Sequence, residues 1–337
     1  MTRPPHPSGN LPAESTSFIG RRRELAQLRR KLSTARLVSL VGPGGVGKTR
    51  LAVRISSDLA RGFRDGSWLV ELAEVRDGQL IANAALAALD LRDQAANEPL
   101  APLLSHLQSK ELLLVVDNCE HLLADAARFI AEVLRAAPGV RVLVTSREPL
   151  SGPGEHVVPV SPLDLPPTLA TEPLSRLRQN EAVMLFVERA AAASGEFELT
   201  ASNRSAVVDL CRRLDGLPLA IELAAVRIRA LSVDQILDRL GDRFALLTGG
   251  GLGALPRHQT LRTTIEWSHD LLGPADRTIL RRLSVFAGRF TLDDVEGVCT
   301  SDEVPPPYAL NLVISLVDKS LVVKEGTEGD AWDRLHE

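Results

Sequence analysis

Cysteine is scarce in this chain of 337 residues: its three copies, Cys119, Cys211 and Cys299, stand far apart. That excludes a disulfide framework and the close ligand spacing of a zinc site, and it points to a reducing, cytoplasmic setting. No apolar run approaches the ~18 residues of a membrane-spanning helix. The opening residues, MTRPPHPSGNLPAE, lack the apolar centre of a signal peptide and read as a flexible, proline-rich tail. A large excess of one charge is missing too, since a net charge of −4 argues against a surface built wholesale for polyanions. Lysine is rarest among the charged residues, with 5 copies against 34 arginines. This is a bias of genome composition that makes each lysine informative. What remains is ordinary for a soluble chain, 45% hydrophobic and 24% charged, and long enough for two or three domains.

One lysine stands in the stretch that organises the rest, Leu37 to Arg50, LVSLVGPGGVGKTR. The apolar run Leu37–Val41 predicts a buried strand. It empties into Gly42-Pro43-Gly44-Gly45-Val46-Gly47-Lys48-Thr49, and Leu51, Ile55, Leu59 and Phe63 then mark one face of a helix. Strand, glycine loop and helix form the context of a phosphate-binding P-loop, G-x-x-x-x-G-K-[ST]. Glycines let backbone N–H groups turn around phosphate oxygens, and the helix N-terminus adds positive potential. Lys48 is expected to reach the β- and γ-phosphates of ATP or ADP, and the Thr49 hydroxyl to ligate Mg²⁺. Gly42, Gly44, Gly45, Val46, Gly47 and Arg50 complete the expected nucleotide-binding loop. With this composition, roughly 0.003 such matches are expected by chance, so the motif is not an accidental glycine turn.

Upstream, Phe18-Ile19-Gly20-Arg21-Arg22-Arg23-Glu24-Leu25 leads into a helix with Leu25, Leu28 and Leu32 on one face. Arg21–Arg23 read either as its solvated start or as a short nucleic-acid patch. The apolar pair Phe18-Ile19 is well placed to cover an adenine ring. Downstream, Ser67–Leu72 predicts a second strand and Ile81–Leu91 a helix. The run Glu111-Leu112-Leu113-Leu114-Val115-Val116-Asp117 predicts a buried strand with a carboxylate at its C-terminal end, the edge at which α/β sheets bind ligands. Behind a P-loop, Asp117 is the natural Mg²⁺-holding Walker B acid. In the following Asn118-Cys119-Glu120-His121, Cys119 and His121 lack a third metal ligand or an orienting carboxylate, whereas Glu120 is a candidate base for an attacking water. Val140–Ser146 predicts the next strand, and Arg147 after it is either a γ-phosphate sensor or half of a surface salt bridge. His156–Val160 predicts a fifth strand whose proline suits an edge.

From Glu181 the pattern is helical, with stripes at Ala182, Leu185, Phe186, Ala190 and at Val207, Leu210, Leu214. Gly216 suits a helix C-cap and Pro218 the first turn of the next helix, so Gly-Leu-Pro need mark no more than a boundary. Leu231–Leu247 extends the helical pattern, and Gly249–Gly253 reads as a hinge. Helices over 260–272, 274–286, 291–298 and 308–320, with a strand beginning at Leu321, suggest a winged helix. The expected organisation is a tail over 1–16, a P-loop domain over 17–165, a helical lid over 166–250 and a winged-helix-like domain over 251–337.

The segments FIGRRREL, VGPGGVGKT, LLLVVDNCEHL, VLVTSREPL, LDGLPLAIELAA and TLRTTIEWSHDLL, in that order, resemble the STAND signalling ATPases of the NB-ARC group. Within it the chain is most similar to the ATPase cores of AfsR- and LuxR-type bacterial regulators. The resemblance implies a three-layer α/β fold with a five-stranded parallel sheet, the Val140 strand lying between the P-loop strand and the Asp117 strand. It implies that Arg147 senses the γ-phosphate, that Pro218 sits over the nucleotide, and that Phe18, Ile19 and Arg21 bound the adenine side. It aligns His336 with a Met-His-Asp segment that contacts the ADP β-phosphate. The implied function is an ATP/ADP switch in bacterial regulation of transcription, with protein partners or self-assembly and no membrane. Many relatives follow the Walker B Asp with a second acid where this chain has Asn118, which puts rapid hydrolysis in doubt. With no DNA-binding domain before residue 17 and no sensor repeats after Glu337, the sequence reads as a switch core without input and output modules. Two alternatives remain open at this level: a catalytic P-loop ATPase or kinase, and a DNA-binding regulator reading through the mildly basic Leu261–Arg289.

Overall fold

The computed structural model describes residues 9–91, 98–167, 172–240, 269, 272–286, 289–301, 304–319, 321–325 and 332–335. The chain divides into two compact units, Met1–Gly42 with Lys48–Val160, and Pro43–Gly47 with Ser161–Glu337.

The first unit is built on strands β1 (Leu37–Val41), β2 (Ser67–Glu71), β3 (Leu113–Asp117), β4 (Arg141–Ser146) and β5 (Glu155–Pro159). They form one parallel sheet in the order β2-β3-β4-β1-β5. Every residue of β1 and β3 is buried, as expected of a parallel sheet covered on both faces. Successive side chains alternate across the sheet. One face, through Leu114, Val116, Val142 and Val144, packs on helices α3 (Ile81–Ala88), α4 (Leu100–Leu107) and α5 (Leu123–Ala136). The other meets α2 (Lys48–Leu59), on which α1 (Arg22–Thr34) packs. The expected three layers and the place of β4 between β1 and β3 are both present. This strand order brings the carboxyl ends of β1, β3 and β4 together, where ligands bind in open α/β sheets. β5 is an edge strand, as its proline suggested.

Several boundaries differ from the sequence expectation. Helix α2 stops at Leu59, because Phe63 N–H bonds the Ala60 carbonyl and closes a 3₁₀ turn over Ala60–Gly62. Phe63 therefore lies outside the helix. Helix α3 ends at Ala88 rather than Leu91: Asp90 takes a left-handed φ of 59°, and the Leu91 N–H bonds the Leu86 carbonyl at 2.8 Å. That is a Schellman ending with aspartate where glycine is usual. Arg21 is not a solvated helix start. It is buried in a left-handed conformation and paired with Glu24 at 2.7 Å, while Arg22 and Arg23 are exposed.

Residues 9–16, read from sequence as part of a flexible tail, are held on the first unit. Gly9 bridges Ser67 in parallel fashion. The Asn10 side chain donates to the Leu69 carbonyl at 2.8 Å and accepts the Leu69 N–H at 2.6 Å, so it covers the outer edge of β2 as a strand would. Glu14 pairs with Arg54, and Arg50 donates to Thr16 and Ser17.

The second unit contains α7 (Glu181–Ser194), α8 (Arg204–Arg213), α9 (Pro218–Val226) and α10 (Val233–Arg239), after a short turn of helix, α6 (Leu174–Leu177). The expected stripes of α7 and α8 are buried. After α8 the chain turns through two left-handed residues, Asp215 and Gly216, and Pro218 opens α9 at its first position. Farther on, helices Pro274–Leu283, Leu292–Val298 and Pro306–Asp318 surround Ile279, Leu283, Phe290, Val295 and Leu316. An antiparallel sheet of β6 (Arg289–Phe290), β8 (Trp332–Leu335) and β7 (Val322–Glu325) accompanies them, the helices-plus-hairpin pattern expected of a winged helix. The expected hinge at Gly249–Gly253, most of the 260–272 segment and His336 lie outside the described residues. Among those described, no helix is long and apolar enough to cross a membrane.

Candidate functional site

The turn between β1 and α2 depends on glycine at two positions. Gly45 has φ 78° and Gly47 φ 93°, conformations that L side chains rarely adopt. A Cβ at Gly47 would meet nothing within 4 Å, so only the backbone demands glycine there. At Gly45 it would come within 3.0 Å of the Leu219 Cβ. The Val46 side chain is fully buried, which leaves its backbone as what it can offer a phosphate. Lys48 is buried at the start of α2, and its Nζ donates to the Gly42 carbonyl at 2.7 Å.

The Asp117 carboxylate is the centre of a hydroxyl network. Its Oδ1 accepts from Thr49 Oγ1 at 2.7 Å and from Thr145 Oγ1 at 2.5 Å. Thr145 Oγ1 in turn accepts the Asn118 N–H at 3.0 Å. One carboxylate and the hydroxyl of Thr49, at the carboxyl end of a parallel sheet, are the hard oxygen donors that suit Mg²⁺. Thr145 was not foreseen. Its signal in the sequence is a hydroxyl closing the otherwise apolar Val142-Leu143-Val144, which an ordinary surface threonine at a strand end would also produce. Replacing Thr145 by valine removes the donor to Asp117 and the acceptor for Asn118. The expected result is a loss of about 1–3 kcal/mol in folding stability and a smaller Mg²⁺-dependent increment in ADP affinity, with serine restoring both. A valine variant whose ADP affinity responds to Mg²⁺ as the parent's does would make Thr145 a packing residue.

Beside this network lies a buried ion pair. Glu120 follows β3 in a 3₁₀ turn and Arg147 follows β4; Glu120 Oε1 and Arg147 Nε are 3.4 Å apart, with side chains 3% and 7% exposed. Arg147 is thus in neither an exposed nor a surface salt bridge. Cys119 is fully buried within the core that packs on α5, and its Sγ contacts the Val116 carbonyl at 3.6 Å. Burial first, then the charges of Glu120 and Asp117, push its thiol well above the ordinary range. A thiol so placed stays protonated and inert at neutral pH. His121 Nε2 bonds the Val75 carbonyl at 2.7 Å. Among the described residues, no group of three or more His, Cys, Asp or Glu could hold a metal ion.

The remaining expected nucleotide residues are placed as follows. Phe18 and Ile19 are half-buried, and the Arg54 guanidinium lies 5.7 Å from the Phe18 ring centroid. Arg50 holds Thr16 and Ser17. In the second unit, Pro218 begins α9, and the N–H of the next residue, Leu219, donates to the Gly45 carbonyl at 3.2 Å. The first turn of α9 therefore touches the glycine loop. Residue patterns alone gave no reason for these segments to meet; the family resemblance did.

Residues 11–228 match the family described as Novel STAND NTPase 1. The chain is 42% identical over 321 residues to Uncharacterized protein Rv0894 of Mycobacterium tuberculosis, covering 95% of this chain and 78% of that one. It is 30% identical over 331 residues to Regulatory protein AfsR of Streptomyces griseus, covering 93% of this chain but 31% of that protein. The Walker-type ATPase PABY2304 of Pyrococcus abyssi superimposes with a TM-score of 0.61 over 94% of this chain and 93% of that one. At 14% identity the likeness speaks for a shared fold alone.

Proposed function

This chain belongs to the Novel STAND NTPase 1 family, and from that premise we propose that it is a cytoplasmic ATP/ADP switch that turns over nucleotide slowly. The observation that carries the reading is the Thr49 hydroxyl seated on the Asp117 carboxylate at 2.7 Å, directly beside Lys48 and a loop that requires glycine at positions 45 and 47. Lys48 binds the β- and γ-phosphates, the loop amides cradle them, and Thr49 and Asp117 would hold Mg²⁺. Bound there, Mg²⁺ neutralises phosphate charge. The family resemblance further assigns Phe18, Ile19 and Arg21 to the adenine side and Pro218 to the nucleotide. Nucleotide then biases an equilibrium between two arrangements of the sheet domain, the helical lid and the winged-helix-like domain, and it can do so only by its difference in affinity for them. The output class, regulation of transcription through protein partners or self-assembly, is supported by the similarity to AfsR.

Slow turnover follows from Asn118, which stands where a second acid would orient the attacking water, and from a Glu120 already paired with Arg147. Steady-state hydrolysis well below the ~10 s⁻¹ enzyme median is expected, together with ATP or ADP released when purified protein is denatured. Turnover at or above that median would replace the switch with a catalytic ATPase.

A further inference from the structure

We propose that Glu120 is the positioning residue of Arg147: it fixes the guanidinium at the carboxyl end of the sheet so that this cation reads the terminal phosphate and separates ATP from ADP. The inference rests on the nucleotide-switch reading and deepens it, because it names the residue on which the discrimination depends.

Three observations carry it. The two side chains come from the ends of adjacent parallel strands, Glu120 after β3 and Arg147 after β4, next to Asp117 and Thr145. Glu120 Oε1 approaches Arg147 at Nε, 3.4 Å away, so the carboxylate charge lies at the root of the guanidinium and not at its fork. A planar guanidinium reads phosphate through its fork of donors, and the orientation of that fork decides whether both oxygens are met. The pair is also nearly dry, and buried ion pairs contribute little net stability over an apolar pair of the same volume. Stability alone does not account for its presence. Finally, Glu120 Oε2 is buried and has no hydrogen-bond partner among the described residues. A carboxylate serving only as a staple would have both oxygens satisfied by protein. This one is left incomplete, in a residue that directly follows the carboxyl end of β3.

A positioning role and a base role give different results. A base acts on hydrolysis and leaves the affinities for ADP and a non-hydrolysable ATP analogue unchanged. A positioning residue changes the ratio of those affinities, and only while Arg147 is present. The test is equilibrium titration of the parent, Glu120→Gln, Arg147→Ala and the double variant with ADP and with the analogue, each checked for its melting temperature. Glu120→Gln keeps the shape and removes the charge. It should shift the ratio against the analogue by roughly 10-fold, about the worth of one charge-assisted contact to the terminal phosphate that a misplaced guanidinium loses. Arg147→Ala should shift it at least as far, and the double variant no further than Arg147→Ala alone. Glu120→Asp, which retains the charge one methylene farther away, should fall between parent and Glu120→Gln, and it carries the same test if the glutamine variant does not fold. An unchanged ratio in Glu120→Gln, or effects that add in the double variant, overturns the proposal while leaving nucleotide binding intact. A parent that binds neither ligand overturns the nucleotide reading itself, and this inference with it.

Discussion

Lys48→Ala should weaken ADP binding by about 10- to 150-fold, the loss expected when a hydrogen bond to a charged phosphate is removed. The ammonium sits at the first residue of α2, buried, with its Nζ on the Gly42 carbonyl at 2.7 Å. That bond ties the side chain back to the end of β1. Held so, it has little rotamer freedom left to lose if the loop takes up phosphate as proposed. The contact is electrostatic, so the difference between parent and variant should shrink as salt is raised, though less than for an exposed pair. Lys48→Arg is not a conservative control, because a planar fork replaces a compact point charge in a closed loop; it too should bind poorly. Isothermal titration of ADP into the parent and both variants measures this directly. Equal ADP affinity in Lys48→Ala and the parent would remove the P-loop as the nucleotide site, and with it the proposed switch.

The legibility of the molecule followed the range of the forces involved. The P-loop, the five strands and Asp117 were readable because each is encoded locally: an apolar run of strand length, glycines that only one kind of turn requires, a carboxylate at a strand end. The strand order was not encoded locally and came from the resemblance. What periodicity could not supply were contacts made by side chains standing in for backbone. Asn10 covers the edge of β2 with an amide that donates to one group of Leu69 and accepts from another, and an asparagine in a proline-rich stretch reads as a turn. Asp90 ends α3 in a conformation for which glycine is the usual signal. Thr145 looked like one more β-former, and its role exists only because β3 and β4 are neighbours. Arg21 was misread for a related reason. A run of three arginines suggests a solvated face, yet the first is turned inward by a left-handed backbone and held by Glu24.

Gly216→Ala should cost about 2–4 kcal/mol in the stability of the helical unit, against about 1–2 kcal/mol for Gly195→Ala. Both glycines have left-handed backbones, φ 66° and 82°, so an L residue is strained at either. They differ in what surrounds them. A Cβ at Gly195 meets nothing within 4 Å, whereas at Gly216 it would lie 2.4 Å from the Leu163 carbonyl oxygen. That approach cannot be relieved by a side chain rotating, because the clashing atom is backbone, and the Leu163 N–H is itself bonded to the Gly216 carbonyl at 3.0 Å. The alanine must push the 163 segment away and weaken that bond. The consequence for function runs through the next residues. Pro218 opens α9 two positions later, and Leu219 N–H reaches the Gly45 carbonyl. Displacing Gly216 therefore displaces the turn that touches the glycine loop, and ADP should dissociate faster from Gly216→Ala than from Gly195→Ala or the parent. Denaturant midpoints for the helical unit and ADP off-rates for the three proteins separate the two effects. Equal destabilisation by the two alanines would mean that the Leu163 contact costs nothing. A destabilised Gly216→Ala that still releases ADP at the parental rate would mean that α9 does not hold the nucleotide, and that Gly-Leu-Pro in this chain marks only the boundary between two helices.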